Sequence, residues 1–268
     1  MICRAEGLVL RGYRMSGSSK VVVIYTRESG KLRLAARGAR RPKSRFGASL
    51  EPITWGSYVY SRREGRDLQT LTEGDILYAF GGLKRDYRRM AHASAVCDLL
   101  DHMTAEEDRN GVLCSVALES LRWIESVADA SVELPLWYFQ LKAASALGYR
   151  PHLSGCVRCG SRLEDSGIRF SPVEGGTVCG HCGSSGSPLD RPTVTYLEQI
   201  QTGRPDRIDV EPFGRVDRGK VRGMLRTYLD YHVEARRRIR SLDFLDRMLA
   251  ADGSEATYTV GDDKNEAR

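Results

Sequence analysis

Cys156-Val-Arg-Cys159 and, nineteen residues further on, Cys179-Gly-His-Cys182 are the stretch that decides how this chain is read. Two sulfur pairs, each on a tight turn, can converge on one ion at the spacing of a structural Zn2+ site. Four thiolates leave no coordination position for water or substrate, so such a site builds shape and performs no chemistry. The segment between the pairs fits this reading. Ile168-Arg-Phe-Ser171 and Gly176-Thr-Val178 flank the turn Glu174-Gly-Gly176, and two strands this short cannot bury a core without a staple. One zinc ion held by Cys156, Cys159, Cys179 and Cys182 is therefore expected. Two disulfides would also use four cysteines, but Cys3, Cys97 and Cys114 lie in apolar stretches without an obvious partner, and a total of seven argues against an oxidised framework. His181, between two of the cysteines, is either a substitute ligand or a solvated side chain. Gly183-Ser-Ser-Gly-Ser-Pro188, after the last cysteine, reads as a flexible return.

The rest of the chain divides by period. Residues 1 to 80 read as all-β, with strand signals at Cys3 to Met15, Lys20 to Arg27, Lys31 to Arg37, Ile53 to Tyr60 and Leu68 to Thr72. Five strands in so short a stretch, several with an internal glycine, predict a small barrel of the OB type. The same residues hold fifteen Lys and Arg against seven Asp and Glu, whereas the remaining 188 hold 26 against 28. All of the net charge of +6 therefore sits in the first part, which implies a polyanionic partner. Lys31 to Arg37 alternates, with Leu32, Leu34 and Ala36 on one face and Lys31, Arg33 and Arg37 on the other, so one face is expected to be core and the other cationic. The loop that follows, Gly38-Ala-Arg-Arg-Pro-Lys-Ser-Arg-Phe-Gly47, adds Arg40, Arg41, Lys43 and Arg45. With Arg14 and Lys20 these form the candidate nucleic-acid-binding set, the alternative being a merely solvated charge run. Tyr13, Phe46, Trp55 and Tyr58 are candidates for base stacking or, individually, for the core.

From Asp86 the apolar period becomes helical. Met90 to Leu100, Leu113 to Ala128, Leu134 to Leu147, Pro192 to Gln199 and Val221 to His232 read as helices, the third with almost no polar side and so central to a bundle. The pattern resumes after the cysteines, so the metal module is an insertion in the helical part. The expected organisation is α+β and multi-domain: an OB-type barrel over 1–82, a helical domain over 83–249 with the four-cysteine insertion at 154–186, and a disordered tail over 250–268. Arg236-Arg-Arg-Ile-Arg240 either complements a helix terminus or rims a groove for an acidic peptide. No secretory leader and no bilayer-length apolar run is read, and reduced cysteines point to the cytoplasm. Neither a phosphate-gripping glycine loop, nor HExxH, nor a GxSxG turn is present, so no enzymatic activity is expected.

The order of these parts resembles a known family. Glu6-Gly-Leu-Val-Leu10, Gly38-Ala-Arg-Arg-Pro-Lys-Ser44, Tyr138-Phe-Gln-Leu-Lys142 and Leu147-Gly-Tyr-Arg-Pro-His-Leu153 running into Cys156-Val-Arg-Cys-Gly160 are similar to the RecO family of bacterial DNA repair proteins, over about residues 3 to 248. The resemblance implies an OB domain, a helical domain with a zinc module and a non-catalytic, nucleoid-associated recombination mediator. It further implies binding of single- and double-stranded DNA, annealing of complementary strands, contact with the acidic tail of single-stranded DNA-binding protein, and partnership with RecR in loading RecA. The runner-up reading is an OB-barrel and zinc-module enzyme or accessory subunit acting on RNA or DNA.

Overall fold

Five strands close into a barrel: β1 (Ile2–Arg14), β2 (Lys20–Thr26), β3 (Gly30–Ala36), β4 (Trp55–Ser61) and β5 (Leu68–Tyr78). The computed structural model describes residues 1–183, 185–233 and 239–256. Neighbours run β1-β2-β3-β5-β4 and back to β1, all antiparallel except β3 with β5. A register shift between Val9 and Arg11 lets the long first strand pair with both β2 and β4. Inward-facing Ala5, Val9, Val22, Ile24, Leu32, Leu34, Tyr58, Tyr60 and Leu71 fill the barrel, and Phe46 and Leu50 add to this core from the β3–β4 connection. Each large side chain so buried contributes about 1.5–3 kcal/mol.

The other face of the barrel is also covered. Leu8, Leu10, Val23, Tyr25 and Trp55 belong to the same apolar cluster as the helical domain. That double burial accounts for the unbroken run Val21 to Tyr25, which has no polar alternation to show. Barrel and bundle therefore share one interface, and the interface has consequences for the charges beside it.

Six α-helices follow among the described residues: α1 (Tyr87–Met103), α2 (Gly111–Ser126), α3 (Leu134–Ala146), α4 (Arg191–Thr202), α5 (Arg218–His232) and α6 (Arg240–Ala256). Side chains of Asp86, Asn110, Asp190 and Asp217 cap the first, second, fourth and fifth by accepting backbone N–H bonds. α3 is buried on nearly every side, as its composition predicts. α6 corrects the sequence reading. Residues 250–256 continue that helix and are not the start of a tail, while 257–268 lie outside the described residues. The acids of its first turns answer α5: Arg226 binds Asp243 at 2.5 Å and Asp246 at 2.7 Å, and Arg222 reaches Asp246 at 3.1 Å and the buried Glu133 at 2.9 Å. Of the Arg236–Arg240 cluster, Arg236, Arg237 and Arg238 lie outside the described residues, and Arg240 opens α6.

Between α3 and α4 lies the cysteine module, with β6 (Arg169–Ser171), β7 (Gly176–Val178) and β8 (Ser187–Pro188) ordered β7-β6-β8. β8 comes from the end of the Gly183–Pro188 return, where composition alone predicts no strand, because the edge of β6 is open to pair with it. The module is built into the bundle: Phe170, Val178, Cys156 and Cys179 join the main core, and the Phe170 ring meets Tyr228 of α5 edge-on at 5.3 Å.

Candidate nucleic-acid interface and metal centre

The cysteines converge as their spacing requires. The Sγ atoms of Cys156, Cys159, Cys179 and Cys182 all lie within 4.8 Å of one another. Burial pushes the Cys156 thiol up, but backbone N–H groups of Cys179, Cys159 and Arg158 outweigh it and bring the group down to about 6. Ser161 donates to Cys159 and lowers it as well, whereas the crowding sulfurs of Cys159 and Cys179 push Cys182 up to about 12. Four sulfurs in this space cannot all be thiolate without a cation between them, so the donor set fits one bound metal ion. His181 is exposed, its imidazole 3.9 Å from Glu164, and lies outside the cluster. Cys97 and Cys114 are core residues whose thiols burial pushes up.

The nine candidate cations separate along β3. Arg14, Arg37, Arg41, Lys43 and Arg45 are exposed and form no ion pair among the described residues. Arg40 is exposed and is held by its backbone, which donates to Ser18 O at 2.9 Å, and by its guanidinium on Gly17 O at 3.2 Å. The loop itself is a chain of tight turns, with Arg41 N–H on Gly38 O and Ser44 N–H on Arg41 O, seated against the β1–β2 turn. Gly38 and Gly47 carry the positive φ values, +71° and +50°, that let it turn out and back. Lys20 is half-buried, donating to Leu50 O at 2.8 Å and reaching Glu51 at 3.1 Å across the barrel end.

Lys31 is a correction. It is 9 % exposed, bound to the Asp101 carboxylate at 3.2 Å and donating to the carbonyls of Asp101 and Thr104 at 2.6 Å each. The alternation placed it outward correctly, but outward at that register means into the helical domain, because its strand neighbour Tyr25 faces α2 there. Arg33, one row on, is intermediate: it donates to the Tyr13 hydroxyl at 2.9 Å and pairs with Glu106 at 3.6 Å. Of the four aromatic candidates, Phe46, Trp55 and Tyr58 are buried and only Tyr13 is exposed. Arg11, not singled out from sequence, pairs with Asp101 beside Lys31. The register of β1 against β2, once known, is what places it there.

A closed OB-type barrel with unpaired cations at one end is joined to a helical bundle that carries four cysteines placed to hold a metal ion. The sequence profile described as "Recombination protein O N terminal" matches residues 1–80, and that described as "Recombination protein O C terminal" matches residues 84–242. The chain is 35 % identical over 258 residues to the DNA repair protein RecO of Symbiobacterium thermophilum, covering 92 % of this chain and 97 % of that one. It is 32 % identical to the RecO of Pelotomaculum thermopropionicum over 91 % and 93 % of the two chains, and 34 % identical to that of Bacillus subtilis over 68 % and 69 %. The chain belongs to the RecO family of DNA repair proteins. No helix among the described residues is long and apolar enough to cross a membrane.

Proposed function

We propose that the protein binds single- and double-stranded DNA through the exposed cations at the end of the barrel, and that it anneals complementary strands without catalysing any covalent step. Arg14, Arg37, Arg40, Arg41, Lys43 and Arg45 neutralise two phosphate backbones at once and so lower the repulsion between strands about to pair. The observation that supports this reading is the contrast in pairing: these six lack a carboxylate partner among the described residues, while Lys31 and Arg11 of the same barrel are engaged by Asp101. As a family member it acts with RecR and with single-stranded DNA-binding protein, whose acidic tail it engages, to help load RecA, in the cytoplasm at the nucleoid. In an annealing assay without nucleotide, Arg40→Ala/Arg41→Ala/Lys43→Ala slows pairing and flattens the log–log salt dependence of single-strand binding by about 2, from about 0.7 per phosphate contact. An unchanged slope in a folded variant overturns the assignment.

The metal is zinc in this reading. Tetrahedral coordination at about 2.3 Å per Zn–S bond sets the sulfurs about 3.8 Å apart, and Cys159 and Cys179 stand at 3.8 Å. It braces the module against α5 and takes no part in binding. Cys159→Ala loses the ion and unfolds the module, with salt-dependent DNA binding retained; metal analysis that returns one zinc per variant chain refutes the ligand set.

A further inference from the structure

The barrel that carries the basic loop also carries an acidic strip. Directly opposed residues of adjacent strands project to the same side of a sheet. The register puts Glu73 opposite Val59 and Asp75 opposite Ser57, while Tyr58 and Tyr60, which alternate with these, fill the barrel. Glu73 and Asp75 therefore share the outer face, two residues apart. Both are exposed and form no ion pair among the described residues, in a segment where fifteen cations stand against seven acids. Phosphate is repelled here, so DNA binding does not account for the strip.

The same stretch leaves apolar side chains unmatched. β5 pairs with β3 only from Leu68 to Leu71, and from there to Tyr78 its strand neighbour is β4 alone, with no backbone bond to the other side among the described residues. The tight turn Gly47–Leu50 lies beside Gly74, and beyond it Asp75, Ile76, Leu77, Tyr78 and Ala79 are all exposed. Ile76, Leu77 and Tyr78 stand at 44 %, 49 % and 44 %. Ile76 opposes Gly56, which has no side chain to cover it, and the register shift between Trp55 and Gly56 leaves Leu77 without an opposite residue. An edge strand that must stay single is covered or carries charge throughout. Three successive large apolar residues do the reverse and mark a contact surface. The end of the strand is held in place: the Glu125 carboxylate of α2 accepts from the Tyr78 hydroxyl and from Gly82 N–H at 2.7 Å each.

We propose that the Glu73–Tyr78 edge of β5 is a docking site for an extended segment of a partner protein that carries cations at alternate positions and apolar residues beside them. The segment adds a strand next to β5 over about 17 Å. Its main chain takes the open hydrogen-bonding positions, its cations pair across with Glu73 and Asp75, and its apolar side chains cover Ile76, Leu77 and Tyr78. Charge excludes the other two occupants. Two copies of this chain joined edge to edge set the acidic strip of one against that of the other, and like charges opposed across strands destabilise the pairing. Nucleic acid brings phosphate to the same carboxylates. The proposal stands independently of the DNA-binding reading above.

The test titrates a fluorescein-labelled peptide of alternating lysine and valine, blocked at both ends, into the full chain and follows anisotropy, with a glutamate and valine peptide as the control. The lysine peptide binds and the glutamate peptide does not, although the net charge of +6 on the chain favours the reverse. Glu73→Lys/Asp75→Lys weakens the lysine peptide about tenfold. Leu77→Ala weakens it several-fold, and both variants melt with the parent because the side chains are exposed. Amide hydrogen exchange over residues 75–78 slows when the peptide is bound. Equal affinity in the charge-reversed variant, or unchanged exchange, overturns the docking site. A concentration-dependent dimer of the full chain that Leu77→Glu dissolves also overturns it, and makes a second copy the occupant. Loss of DNA binding in Leu77→Ala with peptide binding kept gives the edge to nucleic acid instead. If the Arg40/Arg41/Lys43 variant keeps its salt slope while the peptide still binds, the proposed function falls and the docking site stands.

Discussion

The two ends of β3 begin as equals in sequence and finish as opposites. At the first, Lys31 is closed off by Asp101 and two carbonyls under the helical domain. At the other, Arg37 leads into a loop whose cations meet solvent. Both ends satisfy a two-residue alternation of apolar and basic side chains, and both point away from the barrel interior. What separates them is a second domain. A small barrel exposes its outer face only where nothing docks, and here α1 and the connection after it cover one end and not the other. Charge on a strand therefore has two uses, a fixed ion pair at an interface or a contact for a mobile polyanion, and burial decides between them.

The sharpest way to break this comparison is to remove the charge at the closed end. Lys31→Ala leaves the carbonyls of Asp101 and Thr104 without their donor and Asp101 with Arg11 alone. Breaking a buried pair from one side costs about 3–5 kcal/mol, and because Arg11 remains the lower figure is expected. Denaturant unfolding of the variant should show that loss, while the salt slope of DNA binding, once the protein is folded, stays where it was. A variant as stable as the parent with a flatter slope would make Lys31 a DNA contact after all.

Acidification sharpens the same end. Burial raises the Asp101 carboxyl, but the Arg11 bond and the Lys31 charge outweigh burial and hold it below the usual carboxylate range. A depressed folded-state value means stability that is present in full above the unfolded value, near 4, and lost as pH falls through the folded one. The stability gap between the parent and Asp101→Asn, measured by thermal melting, should be constant from pH 7 to about pH 5 and close below about pH 4. A gap that persists at pH 2 would show that Asp101 acts through packing and not through its charge.

How far these outcomes are legible in sequence depends on range. The four cysteines fix their own convergence because each pair is local and one ion closes the rest, and the OB-type barrel follows from strand count, turns and glycine. The fate of Lys31 does not, since Asp101 lies 70 residues away on a helix with no sequence signal for docking. Three of four aromatics go to the core for the same reason: Phe46, Trp55 and Tyr58 sit at positions whose burial is set by barrel closure and by the bundle, and of the four Tyr13 alone stays exposed. α6 is only half legible: its apolar Leu242 and Leu245 join the main core and its acids serve Arg222 and Arg226 of α5, but the polar composition of residues 250–256 does not mark them as helix.

The open end offers the gentlest test. Arg37 and Arg45 flank the loop without an ion pair among the described residues, Arg45 lying 5.1 Å from the Phe46 ring. Surface substitutions of this kind shift stability by no more than about 0.5 kcal/mol, so Arg37→Ala and Arg45→Ala should melt with the parent. Each should nevertheless take about 0.7 from the single-strand salt slope, and the two losses should add, because counterion release counts contacts and not their neighbours. If Arg45→Ala instead lowers stability and spares the slope, its guanidinium serves Phe46 and the barrel end. The open end would then begin at Lys43, and the division of β3 would be one of degree.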